Sequence, residues 1–377
     1  MSGPPSLPPG GPKDLSPLHT FVASFSRHEP SVQTNDAEGG GSYDSGVYVL
    51  HVASSSSYGG GGGTVTCALS DRSVRIYDSE TRTLVREYAD AHGGAISDLC
   101  YLRPPGDVGG EGERLVCTSG RDGTVRIFDA RVGPSRGTGA ILECRLPKAE
   151  EATSHSVGFH GSLVAAGGSR GLIHFFDIRS TGGGNGGERV PLGTYRDAHT
   201  DEVTRVRFRP SPSSSDPILI TASEDGLLNA FDTSRPSEEL ALKSVMNVGC
   251  PLRDVTFFGP NLEGALVLTG SESASAWHWD SAQRICDYGG DDFRGRLSAA
   301  AGAGEGGGGP PSSGWDMEYL AGAHWDDVGQ ELILLAGNSG GGGGEVPAGR
   351  EWRGMHTPPL GGSQGVHQGV RDAGPRE

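Results

Sequence analysis

The sequence predicts an all-β chain assembled from one repeated four-stranded unit, and three observations predict it. Five segments end alike: SDRSVRIYD (70–78), RDGTVRIFD (121–129), SRGLIHFFD (169–177), EDGLLNAFD (224–232) and ESASAWHWD (272–280). Each closes on an aromatic followed by Asp, and the closing positions 78, 129, 177, 232 and 280 recur at steps of 51, 48, 55 and 48 residues. Within the segments, apolar and polar residues alternate with the period of two that a pleated strand imposes. In TVRIFD, Val125, Ile127 and Asp129 share one face, and Thr124, Arg126 and Phe128 share the other. A fixed period of this length marks a repeat architecture, in which each unit buries its faces against its neighbours.

The strands of one unit follow in order. Two units open with a run led by His, AHGGAISDLCYL (91–102) and AHTDEVTRVRFRP (198–210). A second apolar run comes next in every unit: TVTCAL, RLVCTSG, LVAAGG, ILITAS and ALVLTG. A tight turn joins it to the closing run, Arg121-Asp122-Gly123 in one unit and Glu224-Asp225-Gly226 in another. Asp-Gly suits such a turn because both residues tolerate positive φ. The longer steps are absorbed by loops 103–113, 180–189 and 210–217. With an outer fourth strand, each unit reads as one blade of a β-propeller.

The order His, strand, small residue, Asp-Gly turn and aromatic-Asp resembles the WD-repeat family. In that family a His, a Ser or Thr, the turn Asp and a Trp form a buried hydrogen-bond network. The matching residues are His92, Thr118, Asp122 and Phe128 in one unit, and His199, Thr221, Asp225 and Phe231 in another. The departure is at the aromatic. Tyr77, Phe128, Phe176 and Phe231 stand where Trp is usual, and only Trp279 keeps it. Phe has no N–H to donate, so a partial network is expected in those units. The resemblance implies that these His and Asp residues brace blades and are not catalytic.

Longer stretches, from SVRIYDSETRTLVREY (73–88) to YLAGAHWDDVGQELILLAGN (319–338), are similar to one member of that family over roughly residues 43 to 338. That similarity implies about seven blades and no enzymatic activity. Here the pattern stops early: five blades are recognisable, and a sixth is partial over 314–340. The expected organisation is an irregular segment 1–18, a WD-repeat β-propeller over 19–340, and a Gly/Pro-rich, irregular tail 341–377. Trp315-Asp316 precedes its strands and does not close a unit. TFVASFSRH (20–28) is a candidate outer strand lent to the last blade. An open ring exposes strand edges, so a truncated or mis-spliced reading of a longer protein is expected; the alternative is a genuine five-to-six-blade ring closed by other means.

Composition narrows function. The chain of 377 residues has 31 basic and 47 acidic residues, a net charge of −16, which opposes binding to nucleic acid or anionic membranes. Gly at 64 and Pro at 24 are roughly twice the usual share, and the poly-Gly tracts read as unselected loop insertions. The six cysteines form no CxxC pair; Cys67, Cys100 and Cys117 lie in apolar strand patterns and are expected to be buried free thiols. With no secretory signal, a cytoplasmic or nuclear location is expected.

No motif carries chemistry. A phosphate-binding Gly-Lys-Ser/Thr loop, GxSxG, HExxH and an EF-hand are all missing. Asp291-Asp292 and Asp326-Asp327 read as solvated turns. His155, His160 and His174 straddle a strand pair, and no metal or cofactor is expected there. The functional expectation is a non-enzymatic scaffold that binds proteins or peptide segments on the propeller faces. By their place beside the His or the turn Asp, Ala95, Ser97, Arg121, Glu202, Thr204 and Glu224 are the candidate contacts, and Glu202 with Glu224 favours a basic segment. An alternative rests on FDAR (128–131) and FDIR (176–179), which are similar to the WDxR ending of substrate receptors of cullin-type ubiquitin ligases. It implies that Arg131 and Arg179 dock the ligase adaptor; ordinary pairing of these Arg residues with neighbouring Asp competes with it.

Overall fold

Each predicted unit folds as an antiparallel sheet whose register is set by its tight turn. A computed structural model describes residues 47–55, 63–102, 115–132, 138–179, 188–210, 216–288, 319–326, 329–338 and 351–357. Segment 1–18, the TFVASFSRH stretch, Trp315-Asp316 and Asp291-Asp292 lie outside the described residues. The chain divides into two compact units. The larger holds His19–Ser223 and Asp232–Ala241, and the smaller includes Glu224–Phe231 and Leu242–Glu377.

In the larger unit the first blade is β1 (Val49–Ser55), β2 (Thr64–Leu69), β3 (Val74–Asp78) and β4 (Leu84–Tyr88), paired in that order. The second is β5 (Ile96–Leu102), β6 (Leu115–Gly120), β7 (Thr124–Asp129) and β8 (Leu142–Arg145). The third is β9 (Ala152–Gly158), β10 (Leu163–Gly168) and β11 (Ile173–Asp177). After it, β12 (Glu188–Arg189) adds a parallel edge to β8, and β13 (Gly193–Tyr195) completes the third blade beside β11. The hairpin of β14 (Val203–Phe208) and β15 (Ile218–Ser223) opens the fourth repeat.

The smaller unit holds the rest of that repeat, β16 (Leu227–Asp232, to Phe231) paired with β17 (Leu242–Asn247). The short helix α1 (Glu238–Ala241) belongs to the larger unit. A fifth blade follows: β18 (Leu252–Phe258), β19 (Gly264–Thr269), β20 (Ala274–His278) and β21 (Gln283–Tyr288). The partial sixth is β22 (Tyr319–Asp326), β23 (Glu331–Asn338) and β24 (Glu351–Thr357). The sequence placed no strand beyond residue 340. The backbone of 351–357 nonetheless pairs with β23 from Leu332 to Asn338, which satisfies the open edge of that strand.

Burial follows the pleat. Strands β6, β15 and β19 are buried at every residue, as central strands covered on both faces must be. Ala68, Val74, Ile76, Tyr88, Ile96, Val116 and Phe128 form a core between the first and second blades. Cys117, Val125, Ile127, Cys144, Val164 and Phe176 do the same between the second and third. Phe258, Leu266, Leu268, Leu320 and Leu334 pack the fifth blade on the sixth. The turns behave as their sequences require: Gly123 and Gly226 carry φ of 78° and 82°, and in the first blade Arg72 takes the same place at 70°.

The opening strand of each blade carries a bulge near its start. The register skips a residue between Val49 and His51 in β1, Ile96 and Asp98 in β5, Val203 and Arg205 in β14, Leu252 and Asp254 in β18, and Leu320 and Gly322 in β22. In β9 the skipped residue is Thr153, since Gly167 faces Ser154 and Gly168 faces Ala152. A bulge re-aims its side chain, and in β5, β9 and β18 it is aimed at the next blade. Ser97 donates to the Ala152 carbonyl, Thr153 to that of Val203, and Arg253 to that of Leu320. Three blade seams are thus bonded through one recurring device.

Candidate functional site: an interaction rim over buried polar networks

The first of the expected networks is present in the second blade. Buried His92 reaches down from the loop before β5, with Nε2 2.7 Å from Thr118 Oγ1 and Nδ1 3.1 Å from Asp122 Oδ1. Asp122 also accepts the Gly93 N–H at 2.7 Å and the Thr124 hydroxyl at 2.7 Å. Phe128 is fully buried and offers no polar atom; its ring packs 4.7 Å from that of Tyr88. Arg126 closes the network in its place. It donates to Asp122 at 3.1 Å, to the Ala91 carbonyl at 2.7 Å, and to Glu143, its cross-strand partner, at 2.9 Å. Burial lowers the His92 imidazole below its ordinary value against the pull of Asp122. Burial works to raise Asp122, yet the His92 hydrogen bond and charge hold it well below the usual carboxylate range.

Sequence reasoning missed Arg126, although the signal is there. The pattern Asp-x-Ser/Thr-Val-Arg occurs at 71–75 and again at 122–126. In the first blade the same device recurs, with Ser73 donating to Asp71 at 2.6 Å, Arg75 lying 3.6 Å from Asp71, and Arg75 donating to Glu87 at 2.9 Å.

The third blade has no turn Asp. Glu150, from the loop before β9, is buried, accepts the Arg170 N–H at 3.0 Å, and lies 3.1 Å from His174 Nε2. His174 faces Ala166 as Arg126 faces Thr118, so it occupies the equivalent strand position. Its Nδ1 meets Thr194 at 2.9 Å.

The second expected network divides between the two units. His199 Nε2 lies 2.8 Å from Thr221 Oγ1 in the larger. In the smaller, Asp225 accepts the Leu227 N–H at 2.9 Å and Phe231 is buried. The fifth blade differs from expectation. Trp277 faces Ala265, the position Phe128 takes opposite Val116, so the blade closes on His278 opposite Gly264 and Trp279 lies beyond the strand. The turn sets register, and two residues of slip keep Trp277 and Trp279 on one face, which hides the difference from sequence. The indole N–H of Trp279 goes to the Leu262 carbonyl at 2.8 Å and that of Trp277 to Ser275 at 2.8 Å.

Beneath these networks, the opening strands β1, β5, β9 and β14 neighbour one another in turn. Buried Asp98 on β5 accepts from Ser154 at 2.6 Å and from Arg207 at 2.8 Å. Burial works to raise its carboxyl, but Arg207 and Arg205 hold it well below the usual range. Beside it, Cys100, Cys117 and His155 place their donor atoms within 4.8 Å of one another. They sit 17 and 38 residues apart along the chain, on β5, β6 and β9, so no spacing motif announces them. All six cysteines are free; Cys67 and Cys117 are buried as expected, whereas Cys100 is half-buried.

The candidate contacts separate into two groups. Exposed Arg121, in the β6–β7 turn, donates to Glu151 at 2.6 Å and to Glu202 at 3.1 Å, which joins the loops leading into β9 and β14. Ala95 is exposed beside it and its carbonyl accepts the Arg121 N–H at 2.9 Å. Glu224 is exposed in the smaller unit. Ser97 and Thr204, in contrast, are bulge residues; the Ser97 hydroxyl is spent on Ala152 and that of Thr204 on Ala222, at 2.7 and 3.2 Å. Arg131 and Arg179 each bind the Asp two residues back through both carboxylate oxygens, at 2.7 Å to Asp129 and 3.0 Å to Asp177 at the closest.

Comparison with known proteins agrees with this plan. Residues 82–129 and 189–232 match the family described as "WD domain, G-beta repeat". The chain is similar to the WD repeat-containing protein 89 homolog of Dictyostelium discoideum, 23% identical over 319 residues, 84% of this chain and 74% of that protein. It is also similar to the WD repeat-containing protein GTS1 of Arabidopsis thaliana, 24% identical over 217 residues, covering 57% of this chain and half of that protein's length. Among solved structures, a chain of "Crystal Structure of Mitotic Checkpoint Complex" aligns with a TM-score of 0.51 at 15% identity, over 78% of this chain and 73% of that one. The chain thus carries WD repeats over residues 82–129 and 189–232, on a fold similar to that of WD-repeat β-propellers.

Proposed function

We propose that this protein is a non-enzymatic scaffold that binds a basic protein segment on the rim carrying Arg121, Glu151 and Glu202. One observation carries the reading: an exposed guanidinium ties together carboxylates from two loops, which makes a rigid, acidic patch from three successive repeats. Short loops braced in this way suit recognition of a peptide segment. The trio has a net charge of −1, Asp201 stands exposed beside Glu202, and the chain as a whole carries −16. Six free thiols support a reducing compartment, cytoplasm or nucleus, as its place of action.

The test is a peptide array probed with the purified chain, followed by titration of the best ligand. Lys/Arg-rich sequences should be enriched, and Glu151→Lys with Glu202→Lys should weaken binding about tenfold or more, the equivalent of ~1.4 kcal/mol. Enrichment of acidic sequences alone would overturn the reading. A second reading is docking to a cullin-ligase adaptor through FDAR and FDIR. It is favoured by the identical presentation of Arg131 and Arg179, both more than half exposed and fixed by the preceding Asp. Adaptor recovery in a co-precipitation that survives Arg131→Ala with Arg179→Ala removes it.

A further inference from the structure

We propose that Cys100, Cys117 and His155 form a zinc site at the seam of the second and third blades. Cys100 and Cys117 are directly opposed on β5 and β6, and His155 approaches from β9 with Nε2 3.2 Å from Cys100 Sγ. All three donor atoms lie within 4.8 Å of one another. Zinc bonds of about 2.3 Å to sulfur and 2.0 Å to nitrogen set neighbouring ligand atoms roughly 3.5–3.8 Å apart, so sub-ångström side-chain shifts close the site.

The independent support is a relay that orients the histidine. The Ser97 hydroxyl donates to the Ala152 carbonyl at 2.7 Å, so its oxygen is left to accept from Ser119, 2.9 Å away. The single Ser119 proton is then used, and its oxygen can only accept from His155 Nδ1, 3.1 Å away. Nδ1 therefore carries the proton, and Nε2 turns its lone pair toward the two sulfurs. Histidine ligands are held by such an outer hydrogen bond from the non-ligating nitrogen. The relay begins at a bulge side chain, so the same feature that bonds the blades also aims the ligand.

Charge selects the ion. Asp98 is already paired with Arg207 at 2.8 Å, so the ligand set itself must be balanced. Two thiolates and a neutral imidazole carry −2, which a divalent ion cancels, and thiolate with imidazole is a zinc-type donor set. Binding expels two protons to the solvent, one from the Cys117 thiol and the one that Cys100 and His155 Nε2 share. A fourth ligand from solvent would complete a tetrahedral site.

The full chain, purified under reducing conditions, is assayed for metal content and then titrated with zinc and with cobalt(II). Expected are about one zinc per chain and, in the cobalt-loaded protein, an intense thiolate-to-metal absorption with tetrahedral d–d bands. Cys144→Ser, a buried thiol of the same blade outside the cluster, should keep the metal. Cys100→Ser should lose it, and Ser119→Ala should bind zinc about 10–100-fold more weakly. Far-UV circular dichroism establishes that each variant is folded. If Cys100→Ser does not fold, the cobalt spectrum of the unsubstituted chain decides. The proposal is overturned if the reduced chain takes up no zinc, if the cobalt spectrum lacks thiolate absorption, if folded Cys100→Ser retains zinc, or if Cys100 and Cys117 are found joined as a disulfide in place of the metal.

Discussion

The second and third blades solve one problem with opposite charges. In the second, a histidine from the loop meets an aspartate in the turn and an arginine on the strand. In the third, the loop supplies the carboxylate, Glu150, and the strand supplies the histidine, His174. The backbone is alike in both: a glycine ends the central strand so that the loop residue can lie against it. A Cβ at Gly120 would stand 2.4 Å from His92 Nδ1, and one at Gly168 would stand 2.0 Å from Glu150 Oε1. What the fold demands at this place is a bonded polar contact between loop and strand. Which partner carries the charge is open to exchange.

The comparison can be broken at Glu150. Its side chain is 1% exposed against 15% for Asp122, so Glu150→Ala should cost about 3–5 kcal/mol and Asp122→Ala about 2–3. Urea denaturation of both variants checks the order, and a larger loss for Asp122→Ala would show that the third-blade pair is not the tighter device. Gly120→Ala and Gly168→Ala come next. Each forces the loop residue off the strand, at about 1–3 kcal/mol, with the two losses alike if the blades share one backbone plan.

Acid should separate the blades by a smaller effect. The His92 pKa is lowered on folding from 6.5, so the unfolded chain binds the extra proton first. Its contribution is complete above pH 6.5 and falls away as the pH drops below that value. A His92→Gln variant should therefore show a flatter fall in denaturation midpoint between pH 6.5 and 5 than the parent chain. Equal slopes would mean that His92 takes no part. The smallest effect belongs to the rim: Arg121→Ala should change stability by less than about 1 kcal/mol, because its side chain is nearly half exposed, while altering affinity for a basic segment.

Much of this was legible before the structure. The aromatic-Asp endings of the first four units, the Asp-Gly turns and the leading His of the second unit each put the right residues on the right strands. His92, Thr118 and Asp122 could be named because they are paced by the repeat. Arg126 was also within reach, since Asp-x-Ser/Thr-Val-Arg occurs twice. Glu150 and His174 were not, because the third blade exchanges the charges of the pattern. Trp279 was misplaced for a different reason: an alternation of two cannot tell Trp277 from Trp279, and only the turn register separates them.

The sequence by itself determined the repeat, the strand alternation and the turns, because these depend on residues a few positions apart whose backbone preferences are local. The tertiary structure decided what happens across seams. Ser97 looked like a surface contact and proved to be a bulge residue bonded to the next blade. Arg121 gathers carboxylates from loops 30 and 81 residues away. Cys100, Cys117 and His155 converge only because three strands from two blades lie side by side. Contacts of that kind are set by how strands pair and how sheets stack, and no spacing along the chain encodes them.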